Sequence, residues 1–236
     1  MKYFKNLESC IVALSGGVDS AAVLKLAVDE LGSQNVAAAT CTNPHVFAYE
    51  IKNAEMIAKT LKVKWFTFKA LPDEKFYENV EDKCYYCKKA VMGEIIKIAK
   101  EYSYEAVCDG TNVDDLDDYR PGMKVLSEFN IFSPLLESGL SKKDAKRIAS
   151  EIENEEIYFN TESCAATRIK TGMITIDRLK RIEKIEDQLR NRFPGIRVRD
   201  YEKTAKVEFK NNLDITEKDK NFISSIVKKY FKEVEI

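Results

Sequence analysis

The chain has 236 residues, long enough to bury a sizeable core as one medium domain or two small ones. Hydrophobic residues make up 44% and charged residues 33%, and 38 basic residues face 39 acidic ones. That balance fits a globular protein and gives no reason to expect wholesale binding to nucleic acid or membrane. No apolar run reaches the roughly 18 residues that span a bilayer. Met1 to Glu8 lacks an apolar signal core, so a cytoplasmic protein is the expectation.

In chain order, Cys10 to Leu14 reads as a buried strand. Asp19 to Leu31 has helical spacing and is closed by Gly32. Asn35 to Cys41 is a second strand, Val46 to Leu61 a helix, and Lys64 to Phe68 a third strand. Cys84 to Tyr104 reads mostly as helix, and Ala106 to Asp109 as a fourth strand. An Asp- and Gly-rich loop, a run from Phe129 to Leu136 and a helix capped by Ser141 follow. Alternating strands and helices predict a parallel α/β sheet with helices on both faces and ligands at the strands' carboxyl ends. Beyond about Cys164 the pattern changes to a charged helix, Ile174 to Phe193, ended by Pro194 and Gly195. Two strand-like runs come next, Ile196 to Tyr201 and Ala205 to Lys210, and then a last helix from about Glu217 to Phe231. This predicts a first domain over residues 1–165 and a smaller α+β domain over residues 166–236, suited to substrate binding or oligomerisation.

Ser15 to Ser20 reads SGGVDS, directly after a strand and opening a helix. Gly16 and Gly17 allow close backbone approach, the helix N-terminus favours an anion, and Ser15 and Ser20 add hydroxyl donors. No Gly-Lys-Ser/Thr follows, so this is not a Walker loop. The six residues resemble the PP-loop of N-type ATP pyrophosphatases. That likeness implies cleavage of ATP to AMP and pyrophosphate with Mg2+ on the phosphates, and Asp19 matches the family's metal-associated acid.

Asp109 to Gly122 reads DGTNVDDLDDYRPG at the end of the fourth strand. On chemistry alone it is either a solvated turn or a site in which Asp109 helps hold Mg2+ and Arg120 clamps a phosphate or carboxylate. The run resembles the signature GTN-x-DD-x-x-DYRPG of the LarE sulfur transferases.

Six cysteines stand at positions 10, 41, 84, 87, 108 and 164. Cys10 and Cys108 lie within strands and Cys41 ends one, which suits small buried hydrophobes. Cys84 and Cys87 form a C-x-x-C pair, and Cys164 is the natural third partner. Three thiolates suit a 4Fe-4S cluster with one open iron, and zinc is the competing reading. TESCAATRIKTG again resembles the LarE pattern around its cysteine. The C-x-x-C pair is similar to the LarE type in which three cysteines hold a 4Fe-4S cluster, which makes Cys164 a ligand rather than a sacrificed sulfur donor.

Arg197 and Arg199 share one strand face, and their R-V-R run resembles the LarE segment that holds the substrate's phosphate. Arg168 is a further substrate candidate. Lys88 is a candidate for neutralising an adenylate or pyrophosphate, and Tyr85 and Tyr86 are either stacking platforms or core. Glu183 and Glu186 read as helix surface.

The LarE resemblance spans Ser15 to about Arg199. It implies an ATP-dependent sulfurtransferase that adenylates the carboxylates of pyridinium-3,5-biscarboxylic acid mononucleotide. Displacement of AMP by sulfur then makes the bisthiocarboxylate precursor of the nickel-pincer cofactor. Sulfide or a donor protein would replenish the sulfur, and a homo-oligomer is expected. Other readings remain open at this point: a tRNA thiolase, an amidating synthetase of the NAD-synthetase kind, or a regulatory nucleotide-binding module.

Overall fold

The computed structural model describes residues 3–116, 121–159, 163–210 and 213–236. In chain order they form β1 (Cys10–Ala13), α1 (Val18–Leu31), β2 (Val36–Cys41), α2 (Ala48–Thr60), β3 (Lys64–Phe68), α3 (Glu74–Tyr77) and α4 (Lys83–Glu101). These are followed by β4 (Ala106–Cys108), α5 (Met123–Glu128), α6 (Pro134–Glu137), α7 (Lys142–Ala149), α8 (Ile176–Arg190), β5 (Ile196–Tyr201), β6 (Thr204–Phe209), α9 (Glu217–Val227) and β7 (Glu233–Glu235). No described helix is long and apolar enough to cross a membrane. The chain divides into two compact units. The first is Met1–Asn43, Ala48–Asp73 and Asp82–Thr161, and the second is Pro44–Phe47, Glu74–Glu81 and Glu162–Ile236.

The first unit is the expected α/β layer. Its sheet is parallel throughout, in the order β3-β2-β1-β4. Side chains of a strand alternate between faces, and both faces are apolar here. Cys10, Val12, Val36, Ala38 and Cys108 face one core with α1, α2 and α7, whereas Ile11, Ala37, Ala39 and Val107 face the other with α4 and α5. The small residues of β2, VAAATC, let helices lie close on either side. Phe132 extends the β4 edge through a single parallel bridge to Cys108. The run after Phe129 therefore contributes one bridge and then α6, because Pro134 cannot donate to a ladder and sits instead at the start of that helix.

The second unit sets the antiparallel pair β5–β6 beside β7, which runs parallel to β6. Ile196, Val198, Ala205 and Val207 pack with α8 and α9 residues into a separate core. The predicted helix from Val46 begins later, at Ala48. Pro44–Phe47 belongs to the second unit, where the His45 carbonyl accepts a hydrogen bond from Ala165 N–H at 2.9 Å.

Candidate active site

The chain leaves β1 in the middle of its sheet, builds β2 and β3 to one side, and returns to place β4 on the other. The carboxyl ends of β1 and β4 therefore flank a topological switch point, the place where open parallel sheets bind ligands. SGGVDS follows β1 there and DGTN follows β4.

Gly16 has φ +82°, and an added Cβ would overlap the Glu50 carbonyl oxygen. Asn53 fastens the same turn, donating from Nδ2 to the Gly16 carbonyl at 2.8 Å. Gly17 is the N-cap of α1 and brings no side-chain cap, whereas α7, α8 and α9 are each capped by a hydroxyl from Ser141, Thr175 or Thr216. The amides at the start of a helix have no intrahelical acceptor and carry the positive end of its dipole. Ser20 Oγ accepts from Ser15 N–H at 3.2 Å, which keeps the loop folded over the helix start. The result is a backbone turn of the kind that suits an anion.

Gly110 lies against that turn. A Cβ there would sit 2.7 Å from Ser20 N and 2.9 Å from the Asp19 carbonyl carbon. Beside it, Asp109 is buried and saturated. Its carboxylate accepts from Lys88 Nζ at 2.9 Å, Ser133 Oγ at 2.7 Å, Thr111 Oγ1 at 2.7 Å and Thr111 N–H at 3.2 Å. Four donors fill the acceptor capacity of a carboxylate, so Asp109 holds Lys88 rather than offering oxygens to Mg2+. Asp19, in the first turn of α1 with its side chain one-quarter exposed, keeps the chemistry of a magnesium ligand. Gly122 closes the other end of the acidic run, because a Cβ would meet Lys88 Cδ at 3.1 Å and the Cys84 carbonyl at 3.6 Å. Arg120 lies outside the described residues.

Cys84 and Cys87 lie in the first two turns of α4, the former exposed and the latter half-buried. Tyr85 is a packing residue: it joins the core beneath α4, its hydroxyl donates to Glu128 at 2.9 Å, and the Tyr86 ring meets it edge-on at 5.3 Å. Cys10 and Cys108 are buried, and the Cys108 thiol is held well up by its hydrogen bond with the Cys10 thiol and by burial, so it stays neutral. Burial likewise raises Cys41.

Cys164 is half-buried and caps a 3₁₀ turn, Ala165–Arg168, in the second unit. The turn is held from inside. Arg168, expected from sequence to touch substrate, has no exposed surface. Its Nε and Nη2 donate to Glu186 at 3.0 and 3.2 Å, and its Nη1 donates to the Ser163 carbonyl at 2.6 Å. Phe47 lies 5.4 Å from the same guanidinium and 5.3 Å from that of Arg190. Arg199 donates from Nε to Glu208 at 2.8 Å and from Nη1 to the Thr167 carbonyl at 3.3 Å, which ties β5 to the Cys164 turn. Arg197, two residues earlier, shares its face and is half-buried. Glu186, expected at the surface, is buried because it completes Arg168 and also accepts from Val198 N–H at 2.9 Å. Asp200, singled out by nothing in the sequence, is fully buried between Arg178 and Arg181 at 2.6 Å each.

Cys84 and Cys87 thus belong to the first unit and Cys164 to the second. Among the described residues, no group of three or more His, Cys, Asp or Glu side chains is placed to hold a metal ion. The three thiols match an iron–sulfur centre in donor type, all softly basic sulfur and none paired as a disulfide.

Residues 3–100 match the NAD synthase family. The chain is 36% identical to an uncharacterized protein of Methanocaldococcus jannaschii, over 98% of this chain and 89% of that one. It is 31% identical to an uncharacterized protein of Synechocystis, over 88% and 78%. It is 34% identical to the pyridinium-3,5-bisthiocarboxylic acid mononucleotide synthase of Lactiplantibacillus plantarum, over 86% of this chain and 75% of that one.

Proposed function

Since the chain belongs to the LarE family of sulfur-transferring enzymes, we propose that it uses ATP to convert the carboxylates of pyridinium-3,5-biscarboxylic acid mononucleotide into thiocarboxylates. The observation that carries this reading is the uncapped α1 N-terminus at the β1–β4 switch point, with Gly110 packed onto it.

A carboxylate is a poor electrophile, and adenylation supplies a good leaving group. One substrate carboxylate oxygen attacks the α-phosphorus, and the bond to the pyrophosphate oxygen breaks with its electron pair. The acyl-adenylate remains, and pyrophosphate rests on the SGGVDS amides. These donors are preorganised and need no rearrangement as charge builds on the leaving group. Ser15 and Ser20 add hydroxyls to the cradle, and Asp19 would hold Mg2+, which neutralises phosphate charge when bound. Lys88, clamped by Asp109, brings a fixed positive charge to the adenylate.

A sulfur nucleophile then attacks the acyl carbon, and AMP departs with the electrons of the C–O bond. Repetition at the second carboxylate gives the bisthiocarboxylate. Cys84, Cys87 and Cys164 are assigned to sulfur delivery. A 4Fe-4S cluster held by their thiolates would supply sulfide-level sulfur, replenished by sulfide or a donor protein. Arg197 and Arg199 are assigned to the substrate's phosphate, for which paired guanidinium donors are suited. Arg168 holds the turn that bears Cys164. A homo-oligomer is part of the same reading.

Anaerobic purification, iron and sulfide analysis, and assay with ATP, sulfide and the pyridinium substrate test this together. The expected result is substrate-dependent release of AMP and pyrophosphate with thiocarboxylate formed. Absence of pyrophosphate release with that substrate would reject the reading. An iron-free protein that loses one sulfur from Cys164 per product would reject the cluster while leaving the activation step intact.

A further inference from the structure

Thr40 carries a buried hydroxyl in the otherwise apolar run VAAATC of β2. Its two hydrogen bonds have a fixed sense. Trp65 Nε1 can only donate, and it gives its hydrogen to Thr40 Oγ1 at 2.8 Å. The hydroxyl hydrogen therefore goes to the Leu14 carbonyl, also at 2.8 Å. Leu14 is where the chain leaves the sheet. The β1–β2 register runs to Ala13 opposite Ala39, and the Leu14 N–H still reaches the Ala39 carbonyl at 2.9 Å. At the residue before SGGVDS, a side chain thus takes the carbonyl.

A second buried side chain does the same one turn of the loop later. Asn53 Oδ1 accepts from the Tyr158 N–H at 3.2 Å, which fixes the orientation of its amide. Its Nδ2 donates to the Gly16 carbonyl at 2.8 Å and to the Tyr158 carbonyl at 3.1 Å. The Gly17 carbonyl accepts from Ser20 Oγ and from the Ala21 N–H, both at 3.1 Å. The carbonyls of Leu14, Gly16 and Gly17 are each engaged by a donor of the protein itself. A main-chain anion site works only where N–H groups face the ligand, because a carbonyl oxygen turned toward it repels the charge.

We infer that Thr40 and Asn53 are positioning residues for the anion site of the SGGVDS loop. They hold the carbonyl oxygens on either side of Ser15 off the ligand, so that the loop presents its donors. This rests on the ATP-dependent reading above. Neither residue is assigned a contact with nucleotide; both act through the backbone, and Trp65 acts through Thr40 by aiming its hydroxyl.

The test is calorimetric binding of inorganic pyrophosphate and of Mg-ATP to the purified full chain, with circular dichroism confirming that each variant is folded at the temperature used. Thr40→Val keeps the shape of the side chain and removes the hydroxyl. It is expected to weaken both ligands by roughly three- to tenfold, the worth of one hydrogen bond. Thr40→Ser restores the affinity, and Asn53→Ala weakens it as Thr40→Val does. Cys10→Ala, which removes a buried side chain from the same sheet, loses stability and keeps the wild-type affinity. Trp65→Phe, which frees the hydroxyl to turn away, replaces Thr40→Val if that variant is misfolded, with a smaller loss expected. Unchanged affinity in Thr40→Val, or a loss that Thr40→Ser does not restore, overturns the inference and leaves the proposed function standing. An equal loss in Cys10→Ala also overturns it, since the effect would then follow stability alone. A wild-type chain that binds neither ligand overturns the proposed function, and this inference with it.

Discussion

Glu186 Oε1 accepts from Arg168 Nε at 3.0 Å and from Val198 N–H at 2.9 Å, so one buried carboxylate joins the Cys164 turn, α8 and β5. The arginine in return fastens Ser163, just before the cysteine, and Thr167, within the turn that follows it. Breaking one member of a buried pair leaves the other charge uncompensated, at a cost of about 3–5 kcal/mol. Glu186→Ala is therefore expected to lower the unfolding free energy obtained from urea denaturation by that order. Glu186→Gln, which keeps the shape and one acceptor, should lose less. If the pair sets the cysteine's position as well as the fold, the rate of Cys164 alkylation in folded Glu186→Gln changes under conditions where labelling of Cys84 does not. Equal stability of wild type and Glu186→Ala would refute the assignment.

The glycines of the SGGVDS loop are not interchangeable. Gly16→Ala combines a left-handed backbone, which costs a side chain about 1–2 kcal/mol, with overlap on the Glu50 carbonyl. Gly17 has φ −86°, and an added Cβ would come no closer than 3.3 Å to Ser15 Oγ. Measured by pyrophosphate release, Gly16→Ala should abolish activity, while Gly17→Ala keeps a measurable fraction. Gly110→Ala should resemble Gly16→Ala because its Cβ would press into the first turn of α1.

Lys88 and Asp109 should behave as a unit. Lys88→Met removes the cation, and Asp109→Asn leaves the lysine without its counter-charge. Each single change is expected to cut kcat by 10-fold or more, consistent with the loss of a charged donor. The double variant should be little worse than the weaker single one. Full additivity in the kinetic cycle would mean that the two residues act separately.

His45 carries a pH signature. Burial pushes its imidazole down to about 4. Between about 6.5, its ordinary value, and 4, the unfolded chain binds a proton that the folded chain refuses. Stability is therefore highest above that window and falls as pH drops through it, by about 3 kcal/mol in all, levelling off below it. The difference in unfolding free energy between wild type and His45→Leu, followed from pH 7 to 4.5, should drift in favour of the variant as the pH falls. A difference that stays constant with pH would show that His45 does not titrate in this way.

Thiol chemistry separates the cysteines into two sets. Cys10 and Cys108 are buried, and Cys108 is held neutral, so alkylation of the native apoprotein at neutral pH should spare both. Cys84, exposed at the start of α4, should label first. Serine at Cys84, Cys87 or Cys164 is expected to abolish bound iron, whereas Cys10→Ala costs stability alone. Iron retained at wild-type level in Cys164→Ser would remove that residue from the ligand set.

Local patterns were enough to foretell the parallel sheet and its covering helices, since β1, β2 and β4 alternate apolar side chains toward two helical layers. SGGVDS could be placed after a strand because its glycines and the helical spacing beyond Val18 are short-range facts. The charge-balanced composition and the RVR strand face were readable for the same reason. Only the tertiary structure decided which polar residues are spent on the protein itself. Arg168 and Glu186 are 18 residues apart, and Lys88 and Asp109 21, so no periodicity could announce that each pair would meet. Asp200 looked like any strand polar residue until Arg178 and Arg181 closed over it, and β7 could not be expected from KEVEI, which pairs only because β6 presents an edge. Burial and charge pairing depend on what the rest of the chain brings alongside, whereas a turn or a helix start depends on its own few residues.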